Sequence, residues 1–455
     1  MNAMQQSRIR ILAAMAALLL LTACQDDVDQ VAGNRSAEDI LDTALATISR
    51  DNIQSIVNYL AADEREGRMT GTRGYDESAQ FVAEQFAAIG LESGGTDGWM
   101  QPVPLITRMV DIENSGVTLH KSTGDVKLAW KDDMIIYADK VRERNEIRAE
   151  VVFVGFGVHA PELGYSDYDG IDVSGKIVAM FEGAPATFPS TERAHYSSDR
   201  TKAEEFVSRG AIGVIGLMSR LEEERYSWED YTRNLATQPD MSWVDPTGNV
   251  ADYHPENQGD AMFNRASAEL LFEGSPITFE EAQDAGDAAR PMSTALGVEV
   301  SMYRSSLHER ISSSNVIGIL RGSHQELAGE YVIYSTHLDH LGVGSPVDGD
   351  NIYNGMYDNA LGVAMTIEMA RALASLPVRP HRSIVFVAVT GEEHGLLGSD
   401  YFAQHPTVPP PAIVANVNID MPMMLFPLDT AVGYGAEHSS LQALTAAEAM
   451  KEGFE

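Results

Sequence analysis

The chain has 455 residues, too many for one ordinary domain and enough for two or three packed units with a sizeable core. Its 44% hydrophobic, 22% charged and 7% aromatic content excludes a disordered or fibrous chain. Lys plus Arg total 32 against 67 for Asp plus Glu, a formal charge of −35 that phosphate backbones would repel, so nucleic-acid partners are excluded.

The N-terminus carries Arg8 and Arg10 and then an apolar run from Ile11 to Leu21, too short to span a membrane. This predicts a secretory signal over residues 1–23. It closes with Leu21-Thr22-Ala23-Cys24, which resembles the bacterial lipobox, and Cys24 is the single cysteine, so no intrachain disulfide can form. The resemblance implies a lipid on Cys24 and a lipid-anchored protein of the cell envelope, facing the periplasm or the exterior. The polar, acidic stretch 24–50 reads as a tether.

Folded signals begin beyond it. Asp51 is a candidate cap for a helix with Ile53, Ile56, Val57 and Leu60 on one face. The Gly-rich loop Glu66–Gly74 separates it from a helix with Ala79, Val82, Phe86 and Ile89 inward and Gly90 as its stop. In the middle third, residues 151–157 and 176–181 read as strands, 203–209 as a helix, and 226–290 as irregular excursions. The run VFVGFGVHAPELGYSDYDGIDVSGKIV resembles the protease-associated (PA) domain inserted in many secreted peptidases, which implies a lid or spacer without catalytic residues.

From Ser314 onward strand and helix alternate: strands at 331–336, 383–389 and 413–419, helices at 360–374, 395–404 and 439–452. Uninterrupted apolar strands between helices predict a mostly parallel sheet covered on both faces, with ligands gathering at the strands' C-terminal ends. His337-Leu338-Asp339-His340 comes directly after the first of those strands, Glu392-Glu393-His394 after the second and Asp420 after the third, while Asp358 opens the helix between the first two. Three strand ends thus deliver metal-competent side chains to one edge, and the chemistry of imidazole with carboxylates favours zinc or another borderline divalent ion.

The ordered set EGRMTGTRGYDESA, STHLDHLG, NGMYDNALGVA, GEEHGLLGS and VNIDM resembles the M28 family of dinuclear zinc aminopeptidases, with the PA-like insert between the first two motifs. The resemblance implies that Asp358 bridges two zinc ions, that His337 and Asp420 complete one and Glu393 serves the other. It makes Asp339 the carboxylate that holds the His337 imidazole, and Glu392 the general base of amide hydrolysis. His340, His394, His405 and His438 read as structural or exposed. The family's second metal histidine comes from a loop far beyond the VNIDM acid, and none matches it here, so this reading expects a C-terminal truncation, fewer than two tight zinc ions and little peptidase activity in the 455-residue chain.

The expected division is a signal (1–23), a tether (24–50), the N-terminal part of a catalytic domain (51–125), a small β-rich PA-like insert (126–305), and a catalytic α/β domain of zinc-exopeptidase type (306–455). The expected function is an exported zinc aminopeptidase acting on peptide substrates, with membrane contact through the lipid alone. A catalytically impaired binding relative and a single-zinc acyltransferase resembling glutaminyl cyclase stand as alternatives. The sequence leaves open the residue preference, amino- versus carboxypeptidase mode and the oligomeric state.

Overall fold

The structure is a computed structural model that describes residues 37–235, 238–422, 430, 433–451 and 453–454. Cys24, the apolar run before it and Glu452 therefore lie outside the described residues. Two compact units result, one from Met1–Leu105 with Ile311–Glu455 and the other from Ile106–Arg310.

In the first unit, helix α1 (Ala37–Leu45) buries Ile40, Leu41, Ala44 and Leu45 in the core. The tether expected over 24–50 is corrected from residue 37 onward, because this apolar stripe at helical spacing has a surface to cover. Helix α2 (Arg50–Leu60) is capped by Ser49, whose hydroxyl accepts from Asn52 N at 3.3 Å, so Asp51 is a first-turn acid and not the cap. Helix α3 (Arg73–Ile89) ends at Gly90, whose φ of +89° supplies the left-handed C-cap.

The sheet of this unit combines the C-terminal end of β1 (Ser293–Leu320) with β2 (Tyr331–His337), β3 (Ser383–Val389) and β4 (Ile413–Asn418), in the order β4-β2-β3-β1. β2 lies parallel to both β3 and β4, and β1 is antiparallel to β3. Side chains alternate between two apolar layers. Val332, Tyr334, Ile384 and Phe386 face the core shared with α1, α2, α3 and α4 (Leu361–Ala374), while Tyr331, Ile333, Val385 and Val387 meet Phe402 of α5 (Leu397–Gln404) on the other face. β4 departs from the two-faced expectation: Val414, Asn416 and Asn418 are exposed, so only one of its faces is covered. Helix α6 (Leu441–Lys451) begins two residues later than expected, with the Ser439 hydroxyl accepting from Leu441 N at 3.2 Å.

From β2 the chain crosses through α4 to β3, and from β3 through α5 to β4 on the far side of β2. The two crossovers leave opposite faces, so the strand order reverses around β2, the arrangement that opens a crevice at the C-terminal edge of a parallel sheet.

The second unit is built on parallel strands Arg144–Val154, Ile177–Phe181, Gly213–Leu217 and Asp260–Phe263, with Met134–Ile136 antiparallel at the end. Phe153, Phe181, Phe272 and Phe279 pack edge to face or tilted in its core. Residues 106–125, read from sequence as catalytic domain, belong here: Gly116–Lys121 pairs with residues 299–303 of β1. The stretch 226–290 is not irregular. It holds the strands Asp240–Trp243 and Asp260–Phe263 and the helices Arg265–Phe272 and Phe279–Asp287, the last opened by a Thr278/Glu281 capping box. Among the described residues no helix is long and apolar enough to cross a membrane.

Candidate metal centre

β2 ends at His337, level with Val389 at the end of β3, so the turn after each strand opens at the same height. His337 is 2% exposed. Its Nδ1 lies 3.1 Å from the Asp339 carbonyl oxygen, and with no other acceptor as close this nitrogen carries the proton. Nε2 then presents its lone pair to Asp358 Oδ1 at 3.0 Å and Asp420 Oδ1 at 3.2 Å. Two carboxylates and a lone pair repel one another at that range unless a positive charge sits among them. The same tension shows in the imidazole, which burial would drive toward neutrality but which contacts with Asp358 and Asp420 push up to about 11. In return the His337 contact, foremost, holds the Asp358 carboxyl below its ordinary value.

Asp339 is corrected in its role. Its carboxylate is fully buried and stands 3.9 Å from His337 Nδ1, too far for a hydrogen bond. Its two oxygens accept instead from the backbone N–H groups of Glu392 at 3.1 Å and Glu393 at 3.2 Å. A buried carboxylate needs donors, and the turn after β3 supplies them, while the backbone of Asp339 steers the imidazole. Burial raises the Asp339 pKa.

The adjacent glutamates contact different imidazoles. Glu392 Oε2 stands 4.0 Å from His337 Nδ1, and Glu393 Oε1 lies 2.5 Å from His340 Nδ1. Burial pushes the Glu392 carboxyl up to about 7. The residues fall into three groups whose ligand atoms lie within 4.8 Å of one another: His337 with Asp358 and Asp420, His340 with Asp358 and Glu393, and His337 with Glu392 and Glu393. His337, Asp358, Glu392, Glu393 and Asp420 therefore share one site, with Asp358 common to two groups. His438 is exposed beside Glu437 and belongs to none of the three.

Sequence reasoning missed two residues. His340, taken as structural, faces Glu393. Arg68, in the Gly-rich loop, is fully buried, and its guanidinium donates to the carbonyls of Leu60 (2.6 Å), Leu338 (2.9 Å), Asn354 (2.7 Å) and Gly355 (2.8 Å). It ties the turn after β2 to the segment that leads into Asp358, and burial lowers its pKa to about 10. Thr70 in the same loop accepts from Gly391 N at 2.9 Å, so the loop also backs the glutamate turn. Gly67 is required here: at φ +66° a side chain would stand 2.4 Å from the Tyr353 carbonyl oxygen. Asn359 closes the other side, donating to Thr336 Oγ1 at 3.1 Å and the Ile419 carbonyl at 3.0 Å.

Residues 315–452, which carry every metal-competent residue named above, match the model of peptidase family M28. A probable zinc metalloprotease of Pyrenophora teres f. teres is 34% identical over 111 residues, 24% of this chain and 23% of that protein. A glutamate carboxypeptidase 2 homolog of Caenorhabditis elegans is 23% identical over 82% of this chain and 51% of its own length. The chain thus spans about half or less of these relatives. Among solved structures, an aminopeptidase from Aneurinibacillus sp. shows 17% identity and a TM-score of 0.45, covering 83% of this chain and 71% of its own. A peptidase M28 precursor from Shewanella amazonensis shows 16% identity and a TM-score of 0.45, covering 92% and 80%.

Proposed function

We propose that the chain is a zinc metallopeptidase that cleaves amino-terminal peptide bonds. One observation carries this reading: His337, with Nδ1 committed to a backbone carbonyl, turns Nε2 to two carboxylates at 3.0 and 3.2 Å, while the Glu392 carboxylate stands 4.0 Å from Nδ1. One imidazole and two carboxylates are the number of protein ligands a catalytic zinc takes, with a position left for water or substrate. Asp358 and Glu393 would share in a second position. Zinc bound here supplies a Lewis acid for the scissile carbonyl and lowers the pKa of water.

Glu392 does the proton chemistry. Its carboxylate accepts the proton of the attacking water and returns it to the leaving amine. Asp339 fixes the turn on which that carboxylate sits, and Arg68 holds the neighbouring loops so that the acids keep their places. The relative named as a probable zinc metalloprotease supports the metallopeptidase part of this reading.

The second unit, Ile106–Arg310, we assign as the PA-like insert, a spacer that contributes no catalytic group; the PA-like sequence run and the unit's own aromatic core support this. Export and a lipid on Cys24 rest on the Leu-Thr-Ala-Cys sequence after an apolar run.

The test is hydrolysis of aminoacyl anilides by the full chain, before and after metal removal, with N-acylated anilides as control. Zinc-dependent release from free-amine substrates alone supports the aminopeptidase reading. Metal-independent release, or equal release from acylated substrates, contradicts it.

A further inference from the structure

His340 shares its loop with His337, and its ring and the Glu393 carboxylate lie in one of the three metal-competent groups. Two roles are open to such a ring: ligand, or hydrogen-bond donor to a ligand. Spacing separates them. Two atoms bound about 2.0–2.1 Å from a tetrahedral zinc stand about 3.3 Å apart, and the Nε2 contacts of His337 at 3.0 and 3.2 Å approach that edge. His340 Nδ1 and Glu393 Oε1 are 2.5 Å apart, a short hydrogen-bond contact well inside the separation of two atoms on one ion. The ring is mostly buried, with side-chain exposure of 12% against 16% for Glu393, so water competes little for this contact.

The loop is built to put the ring there. The backbone N–H of His340 donates to the Arg68 carbonyl at 3.3 Å. Gly355 leaves the space: a side chain at this position would stand 2.6 Å from His340 Cγ, from Arg68 Nη2 and from Asp358 O. His340 is thus wedged between the arginine that organises the site and the residue that leads into Asp358.

We propose that His340 is a positioning residue that donates Nδ1–H to Glu393 and fixes its carboxylate for a cation shared with Asp358, without binding the ion itself. The proposal rests on the two-position reading given above. Carboxylate ligands are commonly held this way, and removing the holder costs about 10- to 100-fold in metal affinity.

The experiment is zinc titration of metal-free full-length protein by calorimetry, with cobalt(II) absorption as a second readout, on wild type, His340→Ala, His340→Asn and Glu393→Ala. Two binding steps are expected in the wild type, the second weaker than the first. His340→Ala should weaken only the second, by about 10- to 100-fold. His340→Asn, whose amide N–H falls where Nδ1–H was, should recover most of the loss and keep the wild-type cobalt spectrum. His340→Ala should add nothing in the Glu393→Ala background.

Failure of His340→Asn to rescue, with a changed cobalt spectrum, would make His340 a ligand and overturn the proposal. Unchanged second-step affinity in His340→Ala would do the same. If His340→Ala loses the first step as well, the fold has failed, and His340→Asn alone then decides. A wild type with a single step up to millimolar zinc would refute the two-position reading and the role of His340 with it, whereas a wild type with two steps and an indifferent His340 refutes only the latter.

Discussion

The Asp339 carboxylate accepts the backbone N–H of Glu392 at 3.1 Å, so the residue two positions after His337 also shapes the turn that carries Glu392, the proposed general base. The strand ends of β2 and β3 are coupled through this bond and its twin to Glu393 N. Asp339→Asn keeps the volume but places an N–H₂ against one of the two donors. Peptidase turnover should fall about 10- to 100-fold, as for other groups that orient ligands, with a smaller loss of zinc affinity. Turnover and zinc titration of the variant check this; wild-type values for both would remove Asp339 from the site's support.

Glu392→Gln removes the basic carboxylate without changing the side chain's length. Zinc content should persist while turnover drops by about 10²-fold or more. Metal analysis alongside initial rates separates the two effects. A zinc-loaded variant with near-normal turnover would assign the proton transfer elsewhere.

Arg68 saturates four backbone carbonyls from inside the fold. Arg68→Met leaves those acceptors without donors, and the cost should be about 3–5 kcal/mol, as when a buried charged partner is lost. Arg68→Lys should recover little, because one ammonium cannot span the four positions a planar guanidinium reaches. Urea unfolding monitored by far-UV circular dichroism gives the number, and a loss below about 1 kcal/mol would show that these bonds contribute little to the fold.

How far the sequence reached depends on what kind of signal each residue leaves. His337, Glu392 and Glu393 come after largely apolar runs and Asp420 after the alternating run Ile413–Asn418, so a parallel-sheet reading carries them to one edge, and Asp358 sits at a helix start that the same reading places nearby. Arg68 leaves no such trace: an arginine in a glycine-rich loop reads as solvated, and its partners at Leu338, Asn354 and Gly355 are some 270 to 290 positions away. His340 was hidden for the same reason, its partner being 53 positions on. The elements between 226 and 290 were missed because they are short and punctuated by Gly and Pro, which masks periodicity. Asp339 shows the limit of reading a role from proximity, since two residues of separation allowed a carboxylate contact that the backbone carbonyl makes instead.

In the second unit, Asp167 is 1% exposed and accepts from Phe156 N, Val158 N and the Tyr165 hydroxyl, yet burial outweighs these bonds and pushes its carboxyl up to about 7 from 3.8. The folded state therefore keeps a proton that the unfolded chain has given up anywhere between those values. Unfolding releases that proton, so this residue makes the unit progressively less stable as pH rises from about 4 to about 7, by on the order of a few kcal/mol in total. Asp167→Asn should flatten the slope. Hydrogen exchange across Ile177–Phe181 at pH 5 and pH 8 reads it: the wild type should lose protection at pH 8 more than the variant does, and equal losses would show that Asp167 is ionised in the fold.

On the proposed function a cation belongs between His337, Asp358 and Asp420, and everything said of the chemistry depends on it. Anomalous diffraction at the zinc edge, from crystals of the full chain equilibrated with zinc, tests this most directly. The expected peak lies about 2.0–2.2 Å from His337 Nε2 and from a carboxylate oxygen of each acid; a zinc peak elsewhere, with this cluster empty at zinc concentrations that saturate the protein, would contradict it.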